Sequence, residues 1–160
     1  WLSYTHAGYM AEKIAQELKK IFPEAETNIE ENLTVFKEKL QQERKDALDR
    51  IRTMPRNAII TEHDAYRYFT SDLGLTVVGD IEAQAEGEIT PEHISSLLSS
   101  IEGYSIRTIY KEHGSNSDLI NILEKEHGLN ISYLDSEGIL SSSYFDMMKF
   151  NVDNIVEGLN

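Results

Sequence analysis

After Met54-Pro55-Arg56-Asn57 the chain changes period, and that change decides its fold class. From residue 58 onward, short runs rich in Ile, Val, Leu and Tyr alternate with segments of helical period. The pattern predicts strands at 58–61, 75–79, 106–110 and 131–134, with helices at 62–73, 90–102, 116–127 and 143–158. Strands separated by helical crossovers pair in parallel, and right-handed crossovers bring them into one sheet. The expected fold is therefore α/β, a four-stranded parallel sheet flanked by helices. Local punctuation points the same way. Thr90-Pro91 offers an N-cap with proline at the first helical position, and Ser115…Asp118 and Ser143…Asp146 have capping-box spacing with Asp in place of Glu. Gly74 and Gly128 stand where a helix gives way to a strand.

The preceding residues, 4–53, read as helix apart from a break at Phe22-Pro23. Ala7, Met10, Ala11, Ile14, Leu18 and Ile21 share one face of the first segment. Ile29, Leu33, Phe36, Leu40, Ala47 and Ile51 share one face of the second. A helix this long exceeds the mean of about 11–12 residues and suggests a backbone element spanning more than one body. Proline at 55 ends it by removing a donor and restricting its predecessor. The chain thus divides into a helical segment, 1–53, and an α/β segment, 54–160.

Composition removes several functions. Fifteen Lys and Arg against 28 Asp and Glu leave a net charge of −13. Such a surface repels phosphate backbones and anionic head groups, so no nucleic-acid partner is expected. Without cysteine there is no disulfide frame, thiolate zinc site or Cys nucleophile. No apolar run approaches the roughly 20 residues of a membrane-spanning helix, and no signal peptide is visible. The chain opens on Trp1, which reads as a processed or truncated product. Neither a G-x-S-x-G elbow nor a glycine-rich phosphate loop occurs.

In open α/β sheets, ligands bind beyond the carboxyl ends of the strands. Those ends present His63, then Asp80 and Glu82, then Glu112 and His113, then Asp135 and Glu137. Histidine with Asp and Glu is a ligand set suited to zinc, manganese or iron(II). The stretch T-E-H-D-A-Y-R-Y-F, 61–69, places His63 between Glu62 and Asp64. On the expected boundaries its imidazole lies in the first turn of a helix, where the dipole disfavours the protonated form. A neutral imidazole is what a metal takes as a ligand. The plainer readings are a helix-start histidine bonded to backbone and, for Asp135, a cap for the loop after the fourth strand.

H-D-A-Y-R-Y-F followed by G-L-T-V-V-G-D-I-E resembles the carboxyl-terminal lobe of the metal-specific solute-binding proteins of bacterial ABC transporters. I-T-P-E-H-I-S-S-L, I-Y-K-E-H, S-Y-L-D-S-E-G and Y-F-D-M-M-K-F-N-V-D-N-I-V-E-G-L follow in the same order. Trp1-Leu2-Ser3 is similar to the tail of an H-x-W-L-S motif whose histidine would lie just upstream. The resemblance covers all 160 residues.

It implies one lobe of a two-lobed periplasmic-binding-protein fold, with the long helix as the interlobe backbone. The metal, Zn²⁺ or Mn²⁺, would sit between lobes, held by two histidines of the amino-terminal lobe, by His63 and by Asp135. Glu112 would orient a ligand or loop from outside the coordination sphere, and Glu137 could replace Asp135 because the following loop is shorter than in many relatives. Histidine rather than glutamate at position 63 favours zinc. The implied function is capture of the ion and delivery to a membrane permease, without catalysis, by a periplasmic or lipid-anchored protein. Two alternatives stand beside it. One is a hydrolase using His63, Asp135 and metal-bound water. The other is a metal-free interaction fragment self-associating through an exposed Ile29/Leu33/Phe36/Leu40 stripe. Glu62 and Asp64 are expected to favour a helix N-terminus. His6, His93, His113 and His127 are expected on the surface, and Tyr66, Tyr68, Phe69, Met147 and Met148 in the core. Trp1 is expected at a lobe interface.

Overall fold

The computed structural model describes residues 1–82, 90–115 and 117–160. Helices α1 (Tyr4–Ile21) and α2 (Glu26–Ile51) come first, joined by a 3-10 turn at Pro23–Ala25. Then follow β1 (Ala58–Thr61), α3 (Arg67–Leu73), β2 (Thr76–Asp80), α4 (Pro91–Gly103) and β3 (Thr108–Glu112). The chain closes with α5 (Asp118–His127), β4 (Asn130–Leu134) and α6 (Tyr144–Leu159). The strands make a four-stranded sheet in the order β2-β1-β3-β4, with every pairing parallel. This is the architecture that the alternating periods predict.

Most of the expected caps are present. Thr90 accepts the N–H of His93 and Ser143 that of Asp146, while Gly74 and Gly128 close α3 and α5 at φ of +73° and +66°. The Ser115…Asp118 box does not form. Ser117 is the N-cap of α5, and the Ser115 hydroxyl goes to Glu62 instead. The expected start of that helix at residue 116 lies outside the described residues.

The largest boundary difference is at α3, which begins at Arg67 rather than at 62. Sheet pairing continues past β1: Glu62 N–H donates to Tyr110 O at 2.8 Å, and Glu82 N–H to Glu62 O at 2.7 Å. The backbone cannot become helical while both its edges are engaged. β3 likewise runs from 108 to 112 rather than 106 to 110, because its register with β4 carries Glu112 opposite Leu134.

Side chains alternate across the sheet and fill two cores. Ile59, Tyr110 and Leu134 face α2, α3 and α6, while Ala58, Ile60 and Ile109 face α4 and α5. The topology follows from this layering. From β1 the chain steps outward through α3 to β2, crosses back through α4 to β3, and continues through α5 to β4. Direction and face therefore reverse between β1 and β3. Such a reversal opens a crevice at the carboxyl ends of the two strands. One close contact fixes α6 on the sheet: Thr108 Oγ1 donates to Gly158 O at 3.0 Å, and a Cβ at Gly158 would collide with the Tyr110 hydroxyl.

Two core expectations change. Tyr68 is 69 % exposed and meets His6 edge-on, whereas Tyr66, Phe69, Met147 and Met148 are buried as expected. Of the α2 stripe, Leu40 is buried and Ile29, Leu33 and Phe36 are half-buried, because α1 folds back along α2. An apolar groove remains between these helices, lined by Ala11, Ile14, Leu18, Ile29, Leu33 and Phe36.

The helical pair is tied to the α/β body through Asp72 of α3. Its carboxylate accepts Ser3 Oγ (2.9 Å), Thr5 N (3.0 Å), Thr5 Oγ1 (2.8 Å) and Arg44 Nε (2.8 Å). Burial alone would raise this carboxyl; the Thr5 N–H, the Arg44 guanidinium and the two hydroxyls outweigh burial and hold it below the ordinary value. A depressed carboxylate stabilises the fold above its unfolded pKa of about 3.9, and that contribution is lost as pH falls through the folded value. Asp72→Asn is expected to cost about 2 kcal/mol in urea denaturation at pH 7. The gap from the parent should narrow below about pH 4.

Candidate metal centre

The crevice between β1 and β3 holds the first candidate ligand. His63 follows β1 in a tight turn, closed by Ala65 N–H to His63 O at 2.9 Å, and lies four residues ahead of α3. It is therefore not in a helix's first turn, and the dipole argument for its neutrality does not apply. Its Nε2 lies 3.2 Å from Glu112 Oε1 at the end of β3. The same oxygen accepts the Tyr66 hydroxyl at 3.0 Å. Burial first, and the Glu112 charge second, push the Tyr66 hydroxyl far above the usual tyrosine range, so it stays a donor.

Glu62 has a different role from the one expected. It is 2 % exposed, and its Oε2 accepts the N–H of Glu112 at 2.9 Å while its Oε1 accepts the Ser115 hydroxyl. Instead of serving a helix terminus, it fastens the end of β3 to the end of β1 and so sets where Glu112 meets His63. Asp64 points away and pairs with Arg67.

Asp135 follows β4 and is 4 % exposed. Its backbone is clamped by Asn151 of α6: Asp135 N–H donates to Oδ1 at 2.7 Å, and Nδ2 donates to Asp135 O at 2.8 Å. The carboxylate caps its own loop. Oδ1 accepts the N–H groups of Glu137 (3.2 Å), Gly138 (2.7 Å) and Ile139 (3.1 Å). Oδ2 accepts Leu140 N at 3.0 Å and the Ser141 hydroxyl at 3.4 Å. Burial would raise this carboxyl, but the four amides outweigh it and hold it below its ordinary value. Asp135 is thus ionised, as a ligand must be, and is also engaged as a loop cap.

Strand register relates the two candidates. Thr61 lies beside Tyr110 and Glu112 beside Leu134, so His63, Glu112 and Asp135 stand at one end of three adjacent strands. Two interstrand spacings put the backbones of His63 and Asp135 about 10 Å apart, with Glu112 between them. Glu112, Asp135 and the exposed Glu137 line a recess of about 10 Å³, room for a single water-sized species. Among the described residues no three His, Asp or Glu side chains gather closely enough to hold an ion.

Of the other strand-end candidates, His113 also borders this recess, whereas Asp80 does not. Asp80 approaches Arg67 at 4.0 Å, and His113 is exposed with its ring against Tyr133. His6 and His127 are exposed, but His93 is half-buried with Nε2 3.2 Å from Ile81 O.

The family model for the periplasmic zinc-uptake complex component A, ZnuA, matches residues 1–158. The chain belongs to the ZnuA family. It is 28 % identical to the manganese ABC transporter substrate-binding lipoprotein PsaA of Streptococcus pneumoniae, over 100 % of this chain and 54 % of that protein. It is 26 % identical to the zinc-binding protein AdcA of Streptococcus pyogenes serotype M6, over 97 % of this chain and 32 % of the relative. The crystal structure of ZnuA superposes on the whole chain with a TM-score of 0.88 at 20 % identity, using 59 % of its own length. The chain thus spans about half the length of the PsaA lipoprotein, and its fold is that of one lobe within ZnuA-type structures. Metal-binding solute receptors of ABC transporters make up the family, as the sequence resemblance implies.

Sequence reasoning missed Glu62, Tyr66 and Asn151 as parts of this end of the sheet. Asn151 had a usable signal. It falls on the apolar face of α6 among Met147, Met148, Val152 and Ile155, where an amide needs buried partners. Tyr66 and Glu62 had none, since their partners are about fifty residues away on β3. Asn151→Leu leaves two buried backbone groups of Asp135 unpaired and is expected to cost about 2–4 kcal/mol. Chemical denaturation of the variant measures this directly.

Proposed function

We propose that this chain is the metal-receiving carboxyl-terminal lobe of a solute-binding receptor. The receptor captures a divalent ion, zinc in the first place and manganese in the second, and delivers it to an ABC-transporter permease. The role is binding, not catalysis. The observation that carries this reading is the placement of His63, Glu112 and Asp135 at one end of three adjacent strands, at the reversal point of the sheet. Family membership supports the same reading.

In the proposed site His63 supplies an imidazole nitrogen and Asp135 a carboxylate oxygen. Oδ2 is the one suited to an ion, because its contact with Ser141 is the longest at 3.4 Å, while Oδ1 stays held by three amides. Glu112 stands between them and orients His63 from outside the coordination sphere. Glu137, on the same loop and exposed, is the substitute carboxylate. Two ligands do not make the four of a closed tetrahedral site. The other two are assigned to an amino-terminal lobe, in keeping with a relative of nearly twice this length. Residues 1–53 are assigned as the interlobe segment and 54–160 as the lobe proper, with the α1–α2 groove facing the rest of the receptor.

Titration of Zn²⁺ and Mn²⁺ into the full-length protein and its His63→Ala variant tests the assignment. One ligand of four carries roughly 3 kcal/mol of a zinc site worth about 10–16 kcal/mol, so affinity is expected to fall on the order of a hundredfold. An unchanged affinity rejects His63 as a ligand. The 160-residue chain alone should bind more weakly than the full-length protein, because it offers only two of the four ligands.

A further inference from the structure

The loop that carries Asp135 joins β4 to α6, and both of its shoulders are held by one residue outside it. Trp1 Nε1–H donates to Ser136 O at 2.6 Å, immediately after Asp135. The Trp1 carbonyl accepts the hydroxyl of Tyr144, the first residue of α6, at 2.9 Å. Trp1 is 61 % exposed, so its link to the loop is made by these two bonds, one from the indole and one to the backbone carbonyl, more than by burial. Directly behind it Leu2 is buried, and Ser3 is the buried N-cap of α1, bonded to Asp72. Residues 1–3 therefore form a short strap from the Asp72 node at one end to the Asp135 loop at the other.

We infer that this strap positions the Asp135 carboxylate for the ion, so that Trp1 acts as a positioning residue through Asp135. The inference rests on the assignment of Asp135 as a ligand. The loop is short and depends on Asp135 itself for its shape, since five of its donors converge on that one carboxylate. Turning Oδ2 toward an ion removes the Leu140 and Ser141 contacts and loosens the far half of the loop. Bonds at Ser136 and Tyr144 do not involve the carboxylate and persist through that exchange. They keep the two ends of the loop at a fixed separation while its middle gives up donors. The same bonds link the position of α1 to the direction in which Asp135 points.

A double-mutant cycle in the full-length protein tests this, with Zn²⁺ affinity measured by competition against a chromogenic chelator. Trp1→Phe keeps an aromatic side chain and the backbone carbonyl that accepts Tyr144, and removes the indole N–H. It is expected to weaken binding about tenfold, the low end for outer partners of metal ligands. In an Asp135→Ala background the same substitution should change affinity by less than about twofold, because residues acting through a common group are not additive. Tyr144→Phe removes only the other bond and should weaken binding in the same direction, which keeps the test informative if Trp1→Phe fails to fold. Equal losses in both backgrounds, or no loss for Trp1→Phe while Asp135→Ala does weaken binding, overturn the strap alone. Parent-like binding by Asp135→Ala overturns the ligand assignment and the strap with it.

Discussion

The adjacency of β1 and β3 is the constraint on which the rest depends. These two strands are remote in sequence, yet Thr61 and Tyr110 are partners in the sheet. Their pairing brings the turn after β1 against the end of β3, and only there can His63 meet Glu112. Glu62 makes the junction stiff. A carboxylate that is almost fully buried must have its acceptor sites filled, and it fills them with the Glu112 N–H and the Ser115 hydroxyl of the neighbouring strand and loop. The cost of burying those oxygens is offset when β1 and β3 are in register. A slip between them would strand Glu62 without partners, so the residue that fastens the crevice also specifies it.

Asp135 illustrates a different economy. Its carboxylate is the organising centre of a loop too short to hold itself by backbone bonds alone, and four amides of successive residues turn inward to meet it. The arrangement keeps the group charged and fixed, both of which favour cation binding, but occupies the oxygens that would do it. An ion therefore competes with the loop's own amides. The selectivity of such a site depends on how readily Oδ2 exchanges its donors, as well as on the chemistry of the ligand atoms.

The layered fold was legible because it rests on local signals. Alternating periods located the strands, and Thr90, Ser143, Gly74 and Gly128 placed helix ends within a residue or so. The start of α3 was misread because nothing within 62–66 reveals that both edges of Glu62 are bonded to other strands. Tyr68 is expected in the core as one of an aromatic cluster, but Phe69 and Leu73, four residues apart, share the inward face of α3 and Tyr68 falls off it. At the site, strand-end logic found His63, Glu112 and Asp135. The residues that hold them in place act across long sequence separations and left no local trace, except Asn151 on its apolar face.

Helix α2 is built from 26 residues and so is about 39 Å long. Its buried positions, Leu40, Ala47 and Ile51, all fall in its second half, and Phe36 is the last to touch α6, through Tyr144 and Phe145. Some ten residues, roughly 15 Å, extend beyond that contact with only α1 alongside. The helix thus overhangs the aromatic cluster of Phe36, Tyr144 and Phe145 by that length. A tilt of about 5° there would carry the free end through roughly 1.3 Å, given the same rise per residue. Such a displacement would be shared by α1, which is ion-paired to α2 through Lys19–Glu30 and Glu12–Lys37.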